Sequence, residues 1–181
     1  MTTLKSDRIK LRPWKPGDEK SLVEYANNRN VSKNMRDRFP YPYTLKDAEG
    51  WIAFAGNESP IINFAIEFNG EAVGGAGLVL GTDIYRRSSE IGYWLGEPHW
   101  GKGIATEAVK LLTDYAFVRF NLVRIFANVF EYNVGSAKVL EKAGYTLESR
   151  MKKSVVKDGV VFDQLAFVKL AAPAASVDSK I

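Results

Sequence analysis

The chain has 181 residues, of which 46% are hydrophobic and 25% charged, and this composition is typical of one globular domain, expected over residues 1–170. It has no cysteine and one histidine, which argues against disulfides, a thiolate nucleophile and Cys- or His-rich metal sites, so we expect no metal. The net charge of +4 is mild and the cations are scattered, so a nucleic-acid binder and an enzyme with a polyanionic cofactor remain equally compatible. We find neither an apolar run of membrane-spanning length nor an apolar leader, and we predict a cytoplasmic protein without a membrane partner.

The first third of the chain predicts one strand and two helices. Residues 9–14 alternate as a strand does, and Pro16-Gly17-Asp18 begins a helix that ends near residues 27–30. Residues 31–43 have no regular pattern. Thr44 and Asp47 match a capping box for a second helix, which Asn57–Pro60 ends.

The rest of the chain predicts strands at both ends and two helices between them. Asn69-Gly70 indicates a hairpin between strands 61–68 and 71–81, and Gly74, Gly75 and Gly77 indicate a bend or close packing in the second strand. The elements that follow are a strand (89–95), a helix (104 to about 120), a strand (122–130), a helix capped near Asn133 and ended by Gly144, and a hairpin (145–156 and 160–170). The tail, 171–181, is small and polar, and we expect it to be disordered. The order predicts an α/β (α+β) fold.

A glycine-containing loop joins strand 89–95 to the helix that begins at Ile104. Unpaired N–H groups and the positive end of the dipole meet at a helix start, and Gly101 and Gly103 would let a ligand approach the backbone closely. This combination predicts a phosphate site. The loop is not the Gly-x-x-x-x-Gly-Lys-Ser/Thr of nucleotide triphosphatases, and Thr106 stands where the third glycine of a dinucleotide-binding loop would be.

Three motifs, in order, resemble those of the GNAT N-acetyltransferase superfamily across roughly residues 7–170. The run 100–105 is similar to the acetyl-CoA loop Gln/Arg-x-x-Gly-x-Gly/Ala, with Trp100 in place of Gln/Arg, as in the branch resembling the RimJ/RimL-type ribosomal-protein alanine acetyltransferases. Residues 90–95 resemble the cofactor-side strand, and residues 133–145 resemble the late Asn-x-x-Ser/Ala…Glu-Lys-x-Gly-Phe helix. The resemblance implies the GNAT fold, an open, mixed and mostly antiparallel sheet of about seven strands flanked by about four helices.

The resemblance also implies where acetyl-CoA, the expected co-substrate, would bind. Its pyrophosphate would lie on backbone N–H groups at the helix start, contributed by Gly101, Lys102, Gly103, Ile104 and Ala105, with the Thr106 side chain nearby. The backbone of Trp94 and Leu95 would hold the pantetheine arm and the acetyl carbonyl, although core packing alone could explain both side chains. Asn133 would cap its helix, contact CoA, or do both.

Acetyl transfer to an amine requires a base for the amine and stabilisation of the leaving thiolate. Glu90 is the candidate base, with a solvated strand-end glutamate as the alternative and with Glu97 and Asp83 as weaker candidates. The position at which many family members carry a tyrosine donor is Leu140 here. The Rim-like branch implies Ser136 instead, unless this serine bonds its own helix backbone.

The other polar residues of the motifs have less definite roles. Asn133 completes the catalytic candidates, and Asn128 is a weaker one. His99 is expected on the loop surface rather than as a base. An aromatic cluster could line an acceptor pocket, namely Phe39, Tyr41, Tyr43 and Trp51. Four arginines could attract an acidic acceptor or form a solvated face, namely Arg36, Arg38, Arg86 and Arg87.

The acceptor is first predicted to be a protein N-terminal α-amine. Neutralising a lysine amine at pH 7 costs about 4.6 kcal/mol, whereas an α-amino group costs only about 1.1 kcal/mol, which a weak base or a water relay can supply. The alternatives are a small amine such as an antibiotic, polyamine or amino acid, and a non-catalytic acyl-CoA sensor. The hypothesis of an RNA-associated module has only the isoelectric point of about 9.2 in its favour. We therefore expect acetyl-CoA and an amine as partners, no direct nucleic-acid contact, and a monomer or homodimer.

Overall fold

A computed structural model describes residues 2–172, and its strands form one eight-stranded sheet. The strand bounds are Leu4–Lys5 (β1), Ile9–Pro13 (β2), Asn63–Phe68 (β3), Glu71–Leu80 (β4), Ser88–Leu95 (β5), Arg124–Phe130 (β6), Thr146–Lys157 (β7) and Val160–Leu170 (β8). The tail predicted to be disordered lies outside the described residues, except for its first two, and the single domain stays a prediction.

Five α-helices accompany the sheet among the described residues. Their bounds are Glu19–Ala26 (α1), Arg29–Ser32 (α2), Leu45–Gly56 (α3), Ile104–Arg119 (α4) and Val134–Lys142 (α5), with 3-10 turns at Asp83–Tyr85 and Glu97–His99. The predicted capping box of α3 is confirmed, because Thr44 Oγ1 accepts from the Asp47 N–H and the Asp47 carboxylate accepts from the Thr44 N–H. None of the helices within residues 2–172 is long and apolar enough to cross a membrane.

The sheet order is β1-β2-β3-β4-β5-β6-β8-β7, and every neighbouring pair is antiparallel except β5 and β6. This confirms the predicted open, mixed and mostly antiparallel sheet. The structure has one strand more than the seven expected and one helix more than the four expected. The additional elements are short, since β1 has two residues and α2 has four. Segments of that length carry no measurable periodicity.

The parallel pair is also where the sheet opens. β5 and β6 pair only at Ser88 with Arg124, Ser89 with Ile125 and Glu90 with Phe126, whereas β4 and β5 pair along residues 89–95. Beyond Glu90 the two strands therefore diverge and leave an aperture, which we define as the gap between residues 91–95 of β5 and residues 127–130 of β6.

The two faces of the sheet carry separate apolar clusters. On one face Ile91 and Leu95 pack with Ile104 and Ala108 of α4. On the other, Trp94 packs against a cluster that includes Trp14, Leu22 of α1 and Ile52 of α3. Side chains alternate along a strand, so Glu90 and Trp94 belong to the α1–α3 face, and Ile91, Tyr93 and Leu95 to the α4–α5 face.

The glycines of β4 confirm the predicted close packing. A Cβ at Gly74 would overlap the Trp94 carbonyl oxygen, and one at Gly75 would lie 2.9 Å from the Trp94 ring nitrogen. The indole of Trp94 therefore lies against a strand with no side chain at that place. The groove described next runs along this wall.

Candidate active site

The loop before α4 presents unpaired donors to solvent. Gly101 and Gly103 have φ of +73° and +79°, and a Cβ built on either would meet nothing within 4 Å. The first helical bond is donated by the Glu107 N–H to the Gly103 carbonyl. No backbone N–H from Gly101 to Thr106 has an acceptor among the described residues. An anion fits this geometry, because free N–H groups converge on open space at the positive end of the helix.

Trp100 closes the loop where the family motif usually has Gln or Arg. Its ring N–H donates to the Leu95 carbonyl at 2.7 Å, which joins the end of β5 to the residue before the first loop glycine. Arg8 fixes the other side by donating to the Lys102 carbonyl at 2.7 Å and pairing with Glu107 at 3.3 Å. The Glu107 charge, in the first turn of α4, is thereby partly compensated.

The predicted anion-binding residues do not all contribute in the same way. Gly101, Gly103, Ile104, Ala105 and Thr106 line a groove of about 1470 Å³, whereas Lys102 does not. The Ile104 side chain is buried in the core, so only its backbone can face the groove.

The aperture exposes backbone groups of β5 in a defined alternation. The Gly96 N–H donates to the Val73 carbonyl and the Gly81 N–H to the Ser88 carbonyl, and both residue pairs fit the regular β4–β5 register. Trp94 is in phase with Gly96, so its N–H and C=O point to β4. Leu95, Tyr93 and Ile91 are out of phase and direct their backbone groups into the aperture. Because the Leu95 carbonyl already accepts from the Trp100 ring, the contact predicted from the Leu95 backbone is possible through its N–H. The register does not support a contact from the Trp94 backbone, whereas it directs the Tyr93 backbone into the aperture.

A hydroxyl pair lies on the α4–α5 side of the aperture. Ser136 Oγ lies 2.7 Å from the Tyr93 hydroxyl, and the same hydroxyl lies 3.1 Å from the Ser136 carbonyl. Burial is the main cause that raises the pKa of Tyr93 above its ordinary value, so the phenol keeps its proton at neutral pH. The serine hydroxyl is therefore engaged with another element, and the alternative of a bond to its own helix backbone is not what the structure shows.

Asn133 caps α5 as predicted. Its Oδ1 accepts from the Ser136 N–H at 3.1 Å. The amide nitrogen of the same side chain has no acceptor within residues 2–172, and the residue lines the groove. One end of the amide thus holds Ser136 in place, and the other end is available to a ligand.

Glu90 lies on the opposite face from Ser136 and lines the same groove. Its side chain is mostly buried, with 17% exposed, and it forms an ion pair with Arg36. Glu90 is therefore not the solvated strand-end glutamate of the alternative, and its role as base stays a prediction.

The alternative bases do not lie in the groove. Neither Glu97 nor Asp83 is among the residues that line it. Hydrogen bonds from the amides of Asn28 and Asn30 lower the pKa of Glu97 below its ordinary value, so this carboxylate serves to hold α2. Asn128 lines the groove and stays a weaker candidate.

The surface position expected for His99 differs from the structure, in which the residue is half-buried and lines the groove, whereas its not being a base stays a prediction. Both ring nitrogens are buried without a hydrogen-bond partner among the described residues, and the ring packs edge-on against Tyr25 and Phe68, with centroids 5.1 and 6.0 Å away. Burial is the main cause that lowers the pKa of His99 below its ordinary value, with Lys102 adding to it.

Aromatic side chains line the α1–α3 side of the groove. Phe39, Tyr43 and Trp51 are among them, as predicted, and Tyr41 is not. Phe39 packs against Trp94 with ring centroids 5.6 Å apart. An acceptor reaching Glu90 from this side would therefore meet an apolar wall.

The sequence interpretation missed three contacts of this site. Tyr93 was overlooked because the apolar face of β5 explains it, Arg36 was grouped with other arginines, and Arg8 has no local signal. Each of them acts on a residue more than forty positions away, namely Ser136, Glu90 and Lys102.

Comparison with known proteins agrees with this geometry. The acetyltransferase (GNAT) domain family matches residues 8–146. An uncharacterized N-acetyltransferase, p20, of Bacillus licheniformis is 31% identical over 92% of this chain and 95% of its own length. The spermidine N(1)-acetyltransferase of Escherichia coli K12 is 29% identical over 79% of this chain and 75% of its own.

A solved structure extends the comparison to the cofactor. RimJ of Mycobacterium smegmatis, in complex with CoA-disulfide, superposes with a TM-score of 0.82 at 26% identity and covers 94% of this chain and 88% of its own. The loop of free N–H groups, the aperture in the sheet and these matches lead to one conclusion. The chain belongs to the GNAT family and is an acetyl-CoA-dependent N-acetyltransferase.

Proposed function

We propose that the enzyme transfers the acetyl group to a primary α-amine, with Glu90 as base and Ser136 as the group that meets the leaving thiolate. The observation that carries this proposal is their placement: both line one groove, on opposite faces of the sheet, at the aperture where β5 and β6 diverge. A thioester in the aperture would have Glu90 on one side and Ser136 on the other.

Cofactor binding is proposed to use the unpaired donors described above. The N–H groups of Gly101 and of residues 103–106 hold the diphosphate, and the Leu95 N–H and the Tyr93 backbone hold the extended arm as a further strand would be held. The free amide nitrogen of Asn133 contacts the cofactor while its oxygen caps α5.

Acetyl-CoA supplies the activated acetyl group, and the amine nitrogen bonds to the acetyl carbon as the carbon–sulfur bond breaks. Glu90 accepts the proton that the amine loses, directly or through water. Ser136 donates a hydrogen bond from its hydroxyl to the sulfur and so stabilises the departing thiolate. This role requires the Tyr93 hydroxyl to donate to Ser136 Oγ, 2.7 Å away, rather than to the Ser136 carbonyl at 3.1 Å. Tyr93 is in this scheme a positioning residue that turns the serine proton toward the sulfur.

An α-amine is favoured over a lysine amine because it loses its proton at a smaller cost at pH 7. An α-amine is already partly neutral at pH 7, so a weak base is sufficient for it. The resemblance to the RimJ/RimL-type branch supports a protein N-terminus as the source of that amine, and a cytoplasmic location stays part of the proposal.

The small-amine alternative has one specific observation in its favour. The E. coli relative that matches over most of this chain is a spermidine acetyltransferase by name. A non-catalytic sensor would bind CoA without turnover, so a measurement of acetyl-CoA turnover distinguishes it from a transferase.

The test is a screen for thiol release from acetyl-CoA over N-terminal peptides, amino acids, polyamines and aminoglycosides. We expect turnover with at least one α-amine, and loss of turnover in Glu90→Gln with CoA affinity retained. Arg119→Gln, at the far end of α4, is the control and should behave as wild type. If the protein binds CoA but turns over none of the amines, it is a sensor and the proposed transferase function is refuted.

A further inference from the structure

Residues 33–38 lie on the α1–α3 side of the groove and bring cationic side chains to the side on which the candidate base, Glu90, lies. Lys33, Arg36 and Arg38 all line the groove, and Arg36 pairs with Glu90. The segment is fixed in this position, because the Tyr132 hydroxyl donates to the Lys33 carbonyl at 2.7 Å and Lys157 pairs with Asp37 at 2.7 Å. The cations are therefore a built feature of the acceptor side.

The carboxylates that line the groove are already engaged. Glu58 accepts from the Asn63 side-chain amide and from the Ile62 backbone N–H. Glu107 pairs with Arg8 beside the glycine loop. Among the described lining residues this leaves Glu90 as the carboxylate that an incoming ammonium group can reach, and Arg36 already holds it.

An acceptor with positive charge alone fits this arrangement poorly. Its ammonium group would have to displace Arg36 from Glu90 and would then lie beside a guanidinium without a partner, in a groove that Lys33 and Arg38 also line. Like charges in a partly buried groove repel more strongly than in water. Each further ammonium group of a polyamine increases that repulsion.

An acceptor with an amine and a carboxylate side by side satisfies both partners at once. The ammonium group takes the place of Arg36 at Glu90, and the guanidinium fork of Arg36 receives the acceptor carboxylate in a bidentate pair. We propose that the acceptor is an α-amine with a carboxylate next to it, recognised by the Arg36–Glu90 pair. This inference rests on the proposed function and narrows its acceptor.

Two sources share this chemistry, a free amino acid and a peptide whose first residue is acidic. The aromatic wall formed by Phe39, Trp51 and Trp94 favours an apolar group beside the amine in either case.

Matched acceptors test the proposal in a thiol-release assay, with rates expressed per unprotonated amine. The first arm compares L-phenylalanine with L-phenylalaninamide, and the second compares the amidated dipeptides Asp-Phe and Asn-Phe. We expect kcat/KM at least tenfold higher for the carboxylate member of at least one pair, and that pair identifies the source. Spermidine is expected to be slower than either preferred acceptor.

The variants are Arg36→Gln and Arg36→Glu, with Arg119→Gln as the matched control outside the groove. Arg36→Gln should reduce the ratio of kcat/KM between the carboxylate member and its amide partner at least tenfold, and Arg36→Glu should reverse the preference. Equal rates within both pairs, or spermidine as the fastest acceptor, would overturn the inference while leaving the transferase function intact. Absence of turnover with every amine would instead refute the proposed function on which it rests.

Discussion

Gly103→Val separates the conformational role of the loop glycine from its proposed role in binding phosphate. Gly103 is the N-cap of α4 with φ of +79°, and a Cβ there would meet no protein atom within 4 Å. The substitution therefore adds strain but no clash within the protein. The new side chain would occupy the space toward which the free N–H groups point.

Both effects have a magnitude. A side chain in the left-handed region costs about 1–2 kcal/mol, and about 2–4 °C of Tm is lost per kcal/mol in a chain of this size. Tm should therefore fall by roughly 2–8 °C. Loss of a single hydrogen bond to a charged group costs about 1.5–3 kcal/mol, which corresponds to a rise of about 10- to 150-fold in the Kd of CoA.

Gly70→Val is the matched control. Gly70 has φ of +85° in the β3–β4 turn, with nothing within 4 Å of a Cβ, and it lies outside the groove. Thermal unfolding and calorimetric titration with CoA should show a similar loss of Tm in both variants and weakened CoA binding in Gly103→Val alone. If Gly103→Val keeps the wild-type Kd, the diphosphate does not lie on this loop.

Three further predictions concern catalysis, pH and stability. Ser136→Ala should lower kcat by about 100-fold with the Kd of CoA unchanged, and Tyr93→Phe should lower kcat less, with no additional loss when the two are combined, as a double-mutant cycle would measure. His99 has a lowered pKa when folded, so below its ordinary pKa of 6.5 the unfolded chain binds the proton more readily, and stability is lost as pH falls from 6.5 toward the folded pKa. Because His99 is the one histidine of the chain, His99→Phe should flatten the dependence of unfolding free energy on pH below 6.5 in urea titrations. Arg12 joins Asp18 and Glu67 in a buried network, so Arg12→Met should cost about 3–5 kcal/mol in the same titrations, whereas Lys10→Met, which removes an exposed pair with Glu67, should cost at most about 1 kcal/mol.

Each of these has a contradicting outcome. Wild-type kcat in Ser136→Ala would remove the serine from the mechanism, and additive losses in the cycle would make Tyr93 independent of it. An unchanged slope in His99→Phe would mean that the imidazole titrates in the folded protein as it does in the unfolded chain. Equal losses in Arg12→Met and Lys10→Met would show that burial adds nothing to the network.

Local signals predicted most of the fold. The Thr44–Asp47 capping box, the Asn69-Gly70 turn and the Asn133 cap each depend on residues within a few positions of one another, and each is confirmed. The glycine loop is predictable for the same reason, since its donors and its conformation both belong to one strand–loop–helix unit.

Contacts between distant segments were not predictable from the same signals. Arg36 and Glu90 are 54 positions apart, and Tyr93 and Ser136 are 43 apart, so only the folded sheet brings them together. The backbone direction of Trp94 depends on the β4–β5 register, which the alternation within one strand does not determine. The position of the His99 ring depends on its packing against Tyr25 and Phe68, which its polar character does not predict.

The most direct test of the central claim is a crystal structure of the protein with acetyl-CoA bound. The account predicts the diphosphate within hydrogen-bond distance of the N–H groups between Gly101 and Thr106, and the acetyl group in the aperture between Glu90 and Ser136. A cofactor bound elsewhere, or an acetyl group out of reach of both residues, would contradict it.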